Sequence, residues 1–338
     1  MKNLLRSLLL LSVCFVLCSC ELAYKAPEKG KVHILVYGND YWYGTAAHED
    51  PNDPSSPVKY YSSKVYFDEA KTRFRGTVKS LGATLSDALE VSNALEALAQ
   101  KAGYPPEDIE VTRLLGVKYP YTWENITRQS LLDALENLKT SVQEGDLTMI
   151  YFSCHGDGPK GTVRFGEDVT ESSYLVLRLD DGTSDNILYP VADLLARIES
   201  IPGTKVLIGD FCNSGALVRP GNVSVTYGEY SDVTPSSLFF SFPEVTESSS
   251  LFVLSAARYC ESSYEEGIHG YFTRALLEAL GWNEDSQSIG NPAAMRNGQL
   301  CFFDMARYVR ENDNEPASKS QTPMNSGGSG DLVLFSFR

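Results

Sequence analysis

Two residues of this 338-residue chain combine side-chain type and surroundings suited to covalent chemistry. His155 stands in "MIYFSCHGDG" (149–158), just past an apolar run, in a chain with only four histidines. Cys212 stands in "LIGDFCNSG" (207–215), 57 positions further on and likewise at the end of an apolar run. A lone histidine is commonly a satisfied core residue, and a free cysteine commonly behaves as a small buried hydrophobe. Their recurrence at the ends of successive strand-like runs points elsewhere. Ligands of open α/β sheets bind at the carboxyl ends of the strands, so neighbouring parallel strands would bring a thiol and an imidazole to one edge. That pair is the minimum for nucleophilic acyl transfer. The imidazole assists thiol deprotonation and then protonates the leaving amine, with a pKa suited to both steps. Gly156, without a side chain, lets its backbone N–H approach a substrate carbonyl. With the N–H of Cys212 it is expected to form an oxyanion hole, worth about 3 kcal/mol per donor. Ser214 and Gly215 keep the turn after the thiol compact.

The elements that must position these groups are legible as six short apolar runs: "VHILVYG" (32–38), "IEVTRLL" (109–115), "LTMIYFS" (147–153), "KVLIGDF" (205–211), "LFVLSAA" (251–257) and "LVLFSF" (332–337). Several are continuous rather than alternating, as expected of strands covered on both faces. Apolar residues at helical spacing predict helices over 85–99, 131–142, 191–198, 272–280 and 302–309, with Gly103, Gly145, "PG" at 202–203 and Gly281 as stops. This alternation predicts one α/β domain, a mostly parallel sheet with helices on both faces. No break in composition and no internal repeat divides it. Three stretches interrupt the pattern. Residues 38–80 are read as an elaborated loop or small hairpin. Residues 159–189 contain the turn signal "DDG" (180–182), and residues 214–250 are rich in Ser, Thr and Val. Long irregular segments in a compact domain are often functional.

Residues 1–19 have the layout of a secretory signal: Lys2 and Arg6, then an apolar run too short to span a bilayer. Its end, "LCSC", resembles the lipobox of bacterial lipoproteins, which implies that Cys20 is lipidated and becomes the first mature residue. More than one acyl chain there would anchor the protein stably. Residues 20–30 read as a polar tether and 31–338 as the domain, an exported lipoprotein of the cell envelope. Glu21, in place of the aspartate tied to inner-membrane retention in some bacteria, points to the outer membrane. The formal charge is −15, and the leader holds two of the 29 basic residues but none of the 44 acidic ones. Such a surface disfavours nucleic acid and favours cationic partners or substrates. Cys154, Cys212, Cys260 and Cys301 remain in the domain without any CxxC or CxxH pair, so no structural zinc site is expected.

"YFSCHGDG" and "LIGDFCNSG" resemble the two active-site motifs of the caspase and metacaspase family of cysteine peptidases, with His155 at the family's histidine and Cys212 at its nucleophile. "SLGATLSDALEVSNALEALAQKAGY", "TRQSLLDALENL", "LSAARYCESSYEEGIHGYFTRALLEAL" and "QTPMNSGGSGDLVLFSF" are similar to family helices and strands, the last to the closing strand. The resemblance implies the caspase-like three-layer sandwich with a six-stranded, mainly parallel sheet. It also implies hydrolysis of peptide or protein substrates. Aspartate-specific members carry Gln-Ala before the nucleophile, whereas here Asp210 lies two residues before Cys212. Asp87 matches the aspartate of the metacaspase first-helix motif. The likeness therefore implies a pocket of Asp87, Asp210 and Ser153 that accepts Arg or Lys. The other reading of Asp87 is an acid serving a helix N-terminus.

Departures from the family pattern are Cys154, in place of the usual glycine before the histidine, and Asn213, where histidine is common. Between Cys212 and Leu251 the one basic residue is Arg219, followed by Pro220, a poor bond for cleavage. The chain is therefore expected to stay uncut there. Calcium dependence occurs among metacaspases, but "HEDPND" (48–53) lacks the ligand spacing of an EF-hand and reads as a solvated loop, so no cofactor is required. His33, His48 and His269 are given no role, and Cys260 and Cys301 none beyond structure. Two competing readings are a caspase-fold binding or sensing lipoprotein without turnover, and a peptidase with another preference before the cut, as in gingipains and legumains.

Overall fold

The apolar runs of the central strands lack polar alternation because both of their faces are covered. The computed structural model describes residues 30–39, 81–116, 127–158, 173–177, 188–218, 250–314, 316, 319–327 and 332–337, and the backbone of 46–48, 58–60, 65–67 and 74–76. The principal elements in chain order are β1 (Val32–Asn39), α1 (Thr84–Lys101), β2 (Ile109–Gly116), α2 (Arg128–Ser141), β3 (Leu147–Ser153), α3 (Val191–Glu199), β4 (Thr204–Asp210), β5 (Leu251–Ser255), α4 (Tyr271–Leu280), α5 (Phe302–Asn312) and β6 (Met324–Ser326). The sheet order is β6-β5-β4-β3-β1-β2. Neighbours are parallel except β6, which runs antiparallel to β5. This is the three-layer caspase-like sandwich. Alternate residues of each central strand face opposite layers. Ile34, Val36, Met149, Tyr151, Val206 and Ile208 pack under α1, α4 and α5. Leu35, Tyr37, Ile150, Phe152 and Leu207 pack under α2 and α3.

The sixth strand corrects the sequence reading. The apolar run at 332–337 does not join the main sheet. Val333–Ser336 pairs with Gln299–Cys301 beside α5, where Leu334 and Phe335 cap the α1/α4/α5 layer. Met324–Ser326 forms the edge instead, and its half-buried "MNS" carries no apolar run because an edge strand has little to bury. All five helices lie where the spacing places them. Gly103 and Gly281 follow α1 and α4 with φ of 85° and 78°, the left-handed stop for which glycine carries no Cβ penalty.

Residues 38–80 hold two short antiparallel pairs, Ala46–His48 with Val58–Tyr60 and Val65–Phe67 with Phe74–Gly76. Tyr174–Val176 pairs with both His155–Asp157 and Leu188–Pro190, giving a small three-stranded sheet beside the end of β3. The leader, Cys20, residues 21–29 of the tether, "DDG", Arg219 and most of "HEDPND" lie outside the described residues.

Candidate active site

β3 and β4 run side by side in register, with Ser153 opposite Asp210. His155 and Cys212 each follow two residues later, so equal offsets deliver imidazole and thiol to the same carboxyl edge. The two segments stay in contact beyond the strands. Cys154 N donates to Asp210 O at 3.3 Å, and a Cβ at Gly156 would overlap the carbonyl oxygen of Cys212. Glycine is therefore demanded at 156 by the approach of the 211–213 backbone, a reason beyond the substrate access inferred from sequence. His155 and Cys212 are half-buried and line one cleft of about 80 Å³.

The turn after the thiol is tight, as expected. Asn213 takes the left-handed conformation, φ 63°, which asparagine tolerates better than most residues. Its Nδ2 donates to Tyr259 O at 2.6 Å and its backbone N to Glu261 O at 2.8 Å. Ser214 Oγ accepts from Ala257 N at 3.1 Å, and a Cβ at Gly215 would crowd the backbone of Arg258 and Tyr259. The turn is thus pinned to the 257–263 loop. Cys212 Sγ donates to Ser263 O at 3.8 Å. Burial pushes the Cys212 thiol up, only partly offset by Ser263, so the resting group is a thiol and not a thiolate.

Two carboxylates converge in the same cleft. Asp87, near the start of α1, is 2% exposed; Asp210, at the end of β4, is 6% exposed. Ser153 Oγ donates to Asp87 Oδ2 at 3.2 Å, and Gly270 N donates to both Asp87 oxygens at 3.3 Å. Ser263 Oγ donates to Asp210 Oδ1 at 2.5 Å and Thr273 Oγ1 to Asp210 Oδ2 at 2.6 Å. Gly270 stands between the pair: a Cβ there would lie 2.6 Å from Asp210 Oδ2 and 3.5 Å from Asp87 Oδ2. Asp87 is thus both an acid in the first turn of α1 and a buried residue of the cleft lining. Glu265 also serves the start of α1, its carboxylate accepting from Gly82 N and Ala83 N at 3.1 Å each.

A family model described as a caspase domain matches residues 70–325. The chain belongs to the caspase-domain family of cysteine peptidases. The crystal structure of protein GSU0716 from Geobacter sulfurreducens is similar in fold, with a TM-score of 0.50 at 16% identity over 91% of this chain and 97% of that one. No curated protein matches the sequence.

Within this caspase domain the acidic cleft is electrostatically expensive when empty. Burial pushes Asp87 up to about 7, with the hydrogen bond from His269 pulling back and the charge of Asp210 pushing the same way. Burial likewise raises Asp210, against the hydrogen bonds of Ser263 and Thr273. Among the described residues, no Lys or Arg lines the cleft. Buried carboxylates facing one another without a fixed cation favour a visiting one.

Several residues that line the cleft or hold its carboxylates escaped the sequence reading. Ser263, Glu265, His269, Gly270 and Thr273 all come from the segment between β5 and the first turn of α4. His269 Nδ1 lies 2.7 Å from Asp87 Oδ1, a partner 182 positions away that no local spacing could reveal. Asp210 was legible through the family resemblance, as the residue two positions before Cys212. His33 sits at the opposite end of the sheet, its Nε2 3.1 Å from Asp146 and its Nδ1 3.2 Å from Glu110. Among the described residues Cys154, Cys260 and Cys301 form no disulfide, and Cys154 is buried in the core layer of α2 and α3. Among the described residues no cluster of His, Cys, Asp or Glu is arranged to hold a metal.

Proposed function

We propose that this chain is a metacaspase-type cysteine endopeptidase that hydrolyses the bond after Arg or Lys, held at the cell envelope through lipid on Cys20. The observation that carries the specificity is the pair of buried carboxylates, Asp87 and Asp210, in the cleft that Cys212 and His155 also line. A basic side chain before the scissile bond (the P1 residue) enters between them. At 4 Å each contact is worth about 4 kcal/mol at an intermediate effective dielectric, before desolvation is subtracted. An Arg fork satisfies a carboxylate bidentately, which Lys cannot do. Ser153 holds Asp87 in place.

With P1 seated, the scissile carbonyl lies against the thiol. His155 takes the proton of Cys212, and Sγ attacks the carbonyl carbon. The N–H groups of Gly156 and Cys212 receive the oxyanion. As the C–N bond breaks, His155 returns the proton to the leaving amine, leaving a thioester. Water, deprotonated by His155, then releases the acid and regenerates the thiol. The reading requires no cofactor. Lipid on Cys20 and a tether of about ten residues would hold the domain close to a bilayer surface.

Fluorogenic peptides ending in Arg, Lys, Asp or Asn, offered to the chain from residue 21 with and without calcium, test the proposal. Turnover of the Arg and Lys peptides, lost in Cys212→Ala and unaffected by calcium, is expected. Turnover of Asp or Asn peptides instead would overturn the specificity, and silence on all four would favour a binding role. Radiolabelled fatty acid incorporated into the full chain and absent from Cys20→Ser checks the anchor.

A further inference from the structure

The acidic pocket has a back wall that the mechanism above does not use. His269 is 3% exposed, and its two ring nitrogens face two different carboxylates. Nδ1 lies 2.7 Å from Asp87 Oδ1, inside the cleft. Nε2 lies 2.8 Å from Glu284 Oε1, outside hydrogen-bond alignment, and the Glu284 side chain is 38% exposed in the turn after α4. One imidazole thus connects the floor of the pocket to a solvent-exposed acid on its far side. Among the described residues, the other charged or titratable groups near this pair are Asp210 of β4, Glu265 of the 265–270 hairpin and Tyr151 of β3, none of them a cation.

Resting on the pocket assignment above, we propose that His269 is a positioning residue for the P1 pocket and the outlet for the proton that the Asp87–His269 pair gives up when a basic side chain arrives. With the pocket empty, the buried pair shares one proton between Asp87 Oδ1 and His269 Nδ1, and Nε2–H faces the Glu284 side. When a P1 cation enters, Nδ1 keeps its proton and Nε2 releases one to water on that side. Asp87 is left ionised and still held by Nδ1–H. One proton leaves for each cation bound, and His269 ends neutral. Burial alone would lower His269, but the hydrogen bond and charge of Asp87, with the charge of Glu284, outweigh it and raise it, as this role requires. A lysine or arginine at 269 would stay charged and compete with the substrate. Glutamine keeps a donor to Asp87 but cannot relay a proton.

The pH dependence of KM for an Arg peptide tests this. In the unsubstituted chain, KM is lowest above about pH 7, where Asp87 ionises, and rises about ten-fold per pH unit below it. In His269→Gln this acid limb moves up by about one pH unit. KM at pH 7 is then raised several-fold and recovers near pH 9, with kcat little changed. A merely structural role would raise KM equally at every pH. Coincident profiles in His269→Gln and the unsubstituted chain would overturn the inference while leaving the Arg/Lys specificity intact. Failure of the unsubstituted chain to cleave Arg or Lys peptides would overturn the specificity itself. Should His269→Gln not fold, Glu284→Gln carries the test, because its side chain is partly exposed. A smaller displacement of the limb in the same direction supports the relay, and none overturns it.

Discussion

Cys212 rests with its thiol toward Ser263 O and its pKa pushed up by burial. Free in this way, it is a poor nucleophile at neutral pH and depends on a base that acts when substrate is in place. Its alkylation by iodoacetamide in the substrate-free protein should therefore rise with pH on a curve centred above the ordinary thiol range. A midpoint near or below pH 7 would show a standing thiolate instead. Gly270 is the other residue whose chemistry is decided by what it lacks. It faces two carboxylates, and a methyl group there would lie 2.6 Å from Asp210 Oδ2, in the space the proposed pocket gives to a basic side chain. Gly270→Ala should lower kcat/KM on Arg peptides by about a hundred-fold, mostly through KM. Unchanged KM would place the basic side chain elsewhere.

The elements explain what the sequence could and could not disclose. β3 and β4 announced themselves because both faces are buried, and their equal offsets to His155 and Cys212 follow from parallel register. The five helices kept apolar spacing because each buries one face against the sheet. β6 was illegible, since an edge strand of "MNS" has no burial to encode. The run at 332–337 misled because a strand that caps a helical layer is as apolar as one inside a sheet. The short hairpin Glu265–Glu266 with His269–Gly270 was also missed. Its work is long-range, capping α1 through Glu265 and holding Asp87 through His269 and Gly270. This hairpin makes the pocket costly to fold. Asp87 has a folded pKa of about 7 against an ordinary carboxyl value of 3.8, so the native state binds the extra proton between those values. Stability should fall as pH rises through that window. His269, also raised, contributes stability below its unfolded pKa that is lost as pH rises, in the same direction. Asp87→Asn should therefore gain Tm relative to the unsubstituted chain on going from pH 5 to pH 8, by several degrees, while losing activity on Arg peptides. A Tm difference independent of pH would mean that Asp87 is not buried as a titrating acid.

At the scale of the whole molecule, the chain carries 44 acidic residues against 29 basic ones, and no Lys or Arg is among the described residues lining its cleft. Such a field draws basic peptides in and is screened by salt. kcat/KM for an Arg peptide should fall several-fold between 20 mM and 500 mM salt, roughly tracking the Debye length, whereas a neutral peptide should show no such loss. The same specificity implies a single uncut chain, because Arg219 before Pro220 is the one basic site between Cys212 and Leu251. Electrophoresis of the active protein should show one band, and a pair split between 213 and 250 would contradict the specificity. The most direct test of the central claim needs no designed substrate. The chain from residue 21 is incubated with an unfolded protein mixture, and every new carboxyl terminus is sequenced by mass spectrometry beside a Cys212→Ala control. The account predicts termini at Arg and Lys that are missing from the control. Termini at other residues, or an equal yield from both proteins, would contradict it.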